Sequence, residues 1–144
     1  MKVFLKILAG ILLTFNGMSA LYGGLNLLVY PNGNSLQLPL DYLQHSPFQN
    51  YFIPGLILFS LNGLSSLFVC VAILLDSKRY AALILMQGCV LAGWIFVQSM
   101  ITDFSSFLQL VFAITAFLLI FCGAMLARSD HSKISHQKNR INIA

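Results

Sequence analysis

The chain has 144 residues, 58% of them hydrophobic and only 8% charged, with a formal net charge of +4. Soluble domains carry roughly 25% charged residues, so a water-soluble globule is excluded. Four uncharged runs, 7–40, 42–75, 80–102 and 104–127, hold 34, 34, 23 and 24 residues, and each exceeds the ~20 apolar residues that cross a ~30 Å hydrocarbon core as a helix.

The first predicted helix covers residues 4–30. Lys2 and Lys6 before a hydrophobic stretch also fit a secretory signal, but the apolar run continues through Leu25 and Val29 to Tyr30, and Met18 stands where cleavage wants a small residue. A retained span is the expectation. Gly10, Gly17 and Gly24 recur every seven residues, which places them on one narrow helix face. Small residues there let backbones approach where no hydrophobic effect drives association, so a helix-packing face is expected, with a ligand lining as the alternative.

Residues 31–51 form the one sizeable connection. Pro31-Asn32-Gly33-Asn34 is a turn sequence, leucines interspersed with Gln37, Asp41, Gln44 and His45 follow it, and Pro39 is placed to start a short helix that Pro47 ends. Proline suits a first helical turn, and the residue before it resists the α conformation. A short amphipathic segment on the outer membrane face is predicted.

The second helix is predicted at 52–75, the third at 79–101 and the fourth at 106–127, completing a four-span unit over 1–128, with a basic tail at 129–144. That tail should be mobile or only locally helical. The short connections at 76–79 and 102–105 make neighbouring helices antiparallel, so the expected fold is all-α: an integral membrane four-helix up-down bundle with one outer amphipathic loop.

Residues 16–22 (NGMSALY) and 62–68 (NGLSSLF) share four identities. They would run in opposite directions, a relation found in inverted-repeat transporters. At 1.5 Å per residue, Asn16 lies about 15 Å and Asn62 about 21 Å from the cytoplasmic ends. The two amides are expected to meet across the first two helices, with Gly63 in the same packing face. Gln87 comes out about 12 Å deep, whereas Gln98 and Gln109 lie near 28 Å, close to the outer interface. With Asn26, Asp41, His45 and Trp94 they form the candidate ligand site, an outward-facing vestibule. The alternative is a simple hydrogen bond across the third and fourth helices.

All eight basic residues fall before the first uncharged run, between the second and third, or after the fourth. The positive-inside bias then puts both termini in the cytoplasm. The basic excess is a topology signal rather than a nucleic-acid footprint, and an attraction of the tail to anionic lipids fits it. No predicted helix interior carries Asp, Glu, Lys, Arg or His, which disfavours proton-coupled transport, voltage sensing and ion pumping. Cys70, Cys89 and Cys122 form no Cys-x-x-Cys pair, against a thiol oxidoreductase. His131 and His136, without a nearby cysteine, make a poor metal site, so no metal or cofactor is expected. Asp41 and His45, spaced i, i+4, are the one acid/base pair that fits a lipid-modifying enzyme, and no nucleophile stands near them.

The stretch Pro47-Phe48, Tyr51-Phe52-Ile53-Pro54-Gly55, Asn62-Gly63 and Gly93-Trp94-Ile95 with Gln98 resembles a pattern in small uncharacterised bacterial four-helix integral membrane proteins. It covers residues 47–98. The resemblance implies a bacterial inner-membrane setting and the same four-span layout, and attaches no activity. The expected role is therefore non-enzymatic: a binding, accessory or structural component of the inner membrane, working with the lipid bilayer, a homo-oligomer or a membrane-protein partner. The alternative is an oligomeric transporter or channel for an uncharged or lipid-like solute.

Overall fold

The computed structural model describes residues 1–44, 46–101 and 107–141, of which residues 101 and 130–141 are described by their backbone alone. His45, Asp103 and the connection at 102–105 lie outside the described residues. Among the described residues the chain is helical and has no strand. Helix α1 is Lys2–Val29, α2 is Phe52–Leu74, α3 is Tyr80–Ile101 and α4 is Phe107–Ile141. All four contain a stretch long and apolar enough to cross a membrane. A helix is what such a sequence must form in lipid, because hydrocarbon satisfies no backbone N–H or C=O.

Local chemistry sets the ends. Helix α1 stops at Tyr30, the residue before Pro31, which resists the α conformation. Helix α2 takes Pro54 into its first turn, where the missing N–H is no loss, and the Asn50 side chain accepts the Phe52 N–H at 3.0 Å. At its far end the Ser77 and Asp76 N–H groups return to the Ala72 and Ile73 carbonyls at 3.0 and 3.1 Å. This is a Schellman motif with Asp76, at φ 47°, in the left-handed position usually given to glycine. The Asp76 carboxylate pairs with Lys6, whose ammonium also sits 4.4 Å from the Tyr80 ring centre. Helix α4 runs on past residue 127 to Ile141, since no proline or glycine follows Gly123 to end it.

Contacts between α1 and α2, α2 and α3, α3 and α4, and α1 and α4 close a ring. The core follows helical spacing: Leu5, Ala9 and Leu13 of α1 meet Val69, Ile84, Leu91, Leu119, Cys122 and Leu126. The opposite faces stay apolar and exposed, as at Phe4, Ile11, Phe68 and Phe117, the inverse of a soluble surface. Backbones approach closely on two sides of the bundle. On the α1–α2 side a Cβ at Gly24 would stand 2.7 Å from the Phe59 backbone nitrogen, and on the α3–α4 side one at Gly123 would stand 2.6 Å from that of Leu85.

The connection at 31–51 folds on itself. Two short 3₁₀ turns, Asn34–Leu36 and Leu40–Leu43, follow Gly33 and Pro39, and Leu27, Leu43 and Tyr51 make a small second core with Leu36, Leu38 and Phe48. The Tyr51 hydroxyl donates to the Pro39 carbonyl at 2.7 Å. Burial first, and Tyr42 second, hold its phenol above the ordinary 10.0.

Two predictions follow from these contacts. Gly24→Ala and Gly123→Ala should each lower stability by about 1–3 kcal/mol through overpacking. Gly10→Ala and Gly93→Ala, where a Cβ meets nothing within 4 Å, should cost nothing, as read by thermal unfolding in detergent. Tyr51 makes the fold sensitive to alkali: the folded chain retains a proton that the unfolded chain sheds above pH about 10, so its contribution is intact below that pH and is lost as pH rises through the raised value. Tyr51→Phe should flatten the fall in melting temperature between about pH 9 and 11, measured against the parent chain.

Candidate functional site

The middle of α2 is not α-helical. Between α-helical Phe52–Ile57 and Ser65–Leu74, residues Leu58–Leu64 form a π-helical segment. Widening from i→i+4 to i→i+5 adds a residue to the turn and displaces carbonyls from their usual partners, a deformation often found at functional sites. Here the displaced group is the Leu61 carbonyl. Gln87 of α3 donates to it through Nε2 at 3.2 Å, and the Ser65 hydroxyl also faces it. The same hydroxyl lies 2.7 Å from Gln87 Oε1, so its single proton serves one of two acceptors at a time. Because a carbonyl can only accept, the Gln87 amide must present its nitrogen to Leu61.

On the other side of the π segment, Asn16 of α1 donates through Nδ2 to the Ser66 hydroxyl at 2.9 Å. A longer contact, 3.5 Å, reaches the Asn62 main-chain carbonyl. The two side-chain amides are therefore not bonded to each other. Asn62 is 1% exposed, yet neither its Oδ1 nor its Nδ2 has a hydrogen-bond partner among the described residues. The group of this residue that reaches Asn16 is its main-chain carbonyl, which lies in the π-helical segment. The two Asn-Gly sequences still cross, since a Cβ at Gly17 would meet Ser66 Cβ at 3.2 Å and the Gly63 carbonyl at 3.4 Å, while one at Gly63 would meet Leu21 Cδ2 at 2.7 Å. Gly17, Gly24 and Gly63 all sit at this seam. Gly10 does not, and opens instead onto a cleft.

In the outer set, Asn26 and Asp41 make local bonds. Asn26 donates to its own helix at the Tyr22 carbonyl, 2.8 Å away, and accepts from the Ser35 hydroxyl at 2.5 Å, tying the end of α1 to the first 3₁₀ turn. Asp41 is exposed and accepts from Gln44 Nε2 at 3.0 Å. Trp94, Gln98 and Gln109 are half-buried on α3 and α4. His45 lies outside the described residues. Two clefts are open on the sides of the bundle: one of about 500 Å³ between α1 and α2, lined by Lys6, Gly10, Thr14, Cys70 and aliphatic side chains, and an apolar one of about 300 Å³ between α3 and α4. None of Asn26, Asp41, Trp94, Gln98 and Gln109 lines either cleft. Among the described residues no group of three or more metal-ligating side chains gathers.

Hydrogen bonds between helices in lipid are worth roughly 0.6–2 kcal/mol each. Asn16→Ala and Gln87→Ala should lower stability by about 1–2 kcal/mol, because each removes hydrogen bonding between helices. Asn62→Leu should be neutral or stabilising, since a buried amide without a partner opposes folding. Thermal unfolding in detergent, run on all three variants, separates the two cases. The chain matches no family model, no curated protein and no solved structure.

Proposed function

We propose that this chain is a non-enzymatic, four-span component of the bacterial inner membrane that acts by lateral binding within the bilayer rather than by conducting a solute. In this reading the helices run up and down in chain order, both termini and the 75–79 turn face the cytoplasm, and the folded 31–51 connection lies on the outer face. The distribution of the eight basic residues supports that orientation. The resemblance of residues 47–98 to small bacterial four-helix membrane proteins supports the setting.

One observation carries the choice of binding over transport. A conduit needs polar groups facing a shared space, but Asn16, Ser65, Ser66 and Gln87 are engaged in bonds between or within helices. None of them, nor Asn62, lines either cleft, and both clefts open sideways onto predominantly apolar walls. The acid/base reading of Asp41 and His45 gains no support from Asp41, which is exposed and bonded to Gln44.

Purified protein reconstituted into liposomes should leave glycerol and urea permeability at the level of protein-free vesicles in stopped-flow light scattering. Faster equilibration that scales with protein content would favour the transporter. Cysteines at Gly33 and Lys78 should be labelled from opposite sides of the same vesicles, and labelling from one side would overturn the orientation.

A further inference from the structure

We propose that the cleft between α1 and α2 is a binding site for one anionic phospholipid, with an acyl chain against Gly10 and the phosphate at Lys6. The proposal rests on the membrane-embedded, laterally binding reading and names its ligand. The cleft runs from Lys6 to Thr14 on α1 and along Cys70, Ile73 and Leu74 on α2, about 12 Å of helix axis at 1.5 Å per residue. Its volume of about 500 Å³ falls within the roughly 300–1,000 Å³ of small-ligand sites. The floor is unfilled by protein, since a Cβ at Gly10 would meet nothing within 4 Å. The few polar atoms engage one another: the Thr14 hydroxyl donates to the Gly10 carbonyl at 2.8 Å, and Cys70 Sγ lies 3.6 Å from that hydroxyl.

Charge selects the occupant. Lys6 stands at the mouth of the cleft, beside the turn that carries Lys78 and Arg79, with Lys2 one helical turn away. Asp76 is the one acidic residue of this turn, and its carboxylate holds the Lys6 ammonium. An apolar trough open to lipid with a cation at its end fits an acyl chain joined to a phosphate. A second transmembrane helix fits less well. Helix–helix contacts in lipid favour small residues, whereas Gly10 is flanked by Ile7, Ile11, Ile73 and Leu74. The phosphate enters as a rival acceptor to the Asp76 carboxylate, which gives the proposal a signature that a purely structural ion pair lacks.

The full chain in detergent is titrated with phosphatidylglycerol and, separately, with phosphatidylcholine bearing the same acyl chains, and retained lipid is read by native mass spectrometry. The parent chain should hold phosphatidylglycerol about fivefold better, the effect of one basic residue near an anionic group. Gly10→Leu, which fills the trough without a clash at Cβ, and Lys6→Gln should both abolish the preference. Asp76→Asn should strengthen it. Equal retention of the two lipids by the parent chain, parent-like retention by a folded Gly10→Leu, or loss of preference in Asp76→Asn would each overturn the proposal. So would efficient disulfide cross-linking of Ile11→Cys chains in lipid-rich vesicles, which would give the cleft to a second copy. The liposome permeability test can fail while this one succeeds, and the reverse, so the two readings stand or fall separately.

Discussion

In hydrocarbon a backbone carbonyl released from its helix has no solvent to turn to, and the π-helical turn of α2 displaces one such carbonyl deep within its span. The side chains of Gln87 and Ser65 cover it. That requirement fixes more than one bond: α3 must present Gln87 at the level of Leu61, and α2 must present Ser65 one turn further along. The rotational setting of α3 against α2 follows. The same widened turn directs the Asn62 carbonyl toward Asn16 of α1, so three helices are registered around a single irregularity.

The bundle thus holds itself together in two ways. At the α1–α2–α3 seam, polar groups supply direction and registry. Between α3 and α4, apolar contact dominates, with the glycine at 123 drawing the backbones together and Ala116, Leu119 and Cys122 filling the interface. Neither half relies on the exclusion of water, which lipid tails remove as a driving force between helices. Among the described residues, the buried Asn62 side chain gives nothing back in hydrogen bonds. Its amide lies within the segment whose register is irregular, so its cost and that irregularity belong to the same local geometry.

The four spans were legible because charge is so scarce that its positions delimit them, and the proline at 31 and the glycine-free chain after Gly123 explain where α1 stops and α4 does not. The polar seam was legible in its members: Asn16, Asn62 and Gln87 stand out in runs of apolar residues, and glycines 17, 24 and 63 share their face. Their pairing was not, because no proline or charge marks residues 58–64 as π-helical. Ser66, four residues after Asn62, was the available signal for the true partner of Asn16. Gly88 and Gly123 were also passed over, although Gly88 and Ala92, and Gly123 and Ala127, each have the small-xxx-small spacing of close helix contacts. Asn26 and Asp41 make local bonds, which depth along an axis does not reveal because it says nothing of azimuth around it. Asn26 found its partner nine residues away in Ser35.

The pairing of Lys6 with Asp76 joins positions 70 residues apart. The contact can form only after α1, the 31–51 connection and α2 have all been synthesised. Once residue 76 and Tyr80 arrive, the same ammonium is taken up as a tie between the start of the chain and its central turn. One side chain thereby ties the start of α1 to the turn that follows α2, and the moment of closure is set by its distance along the sequence.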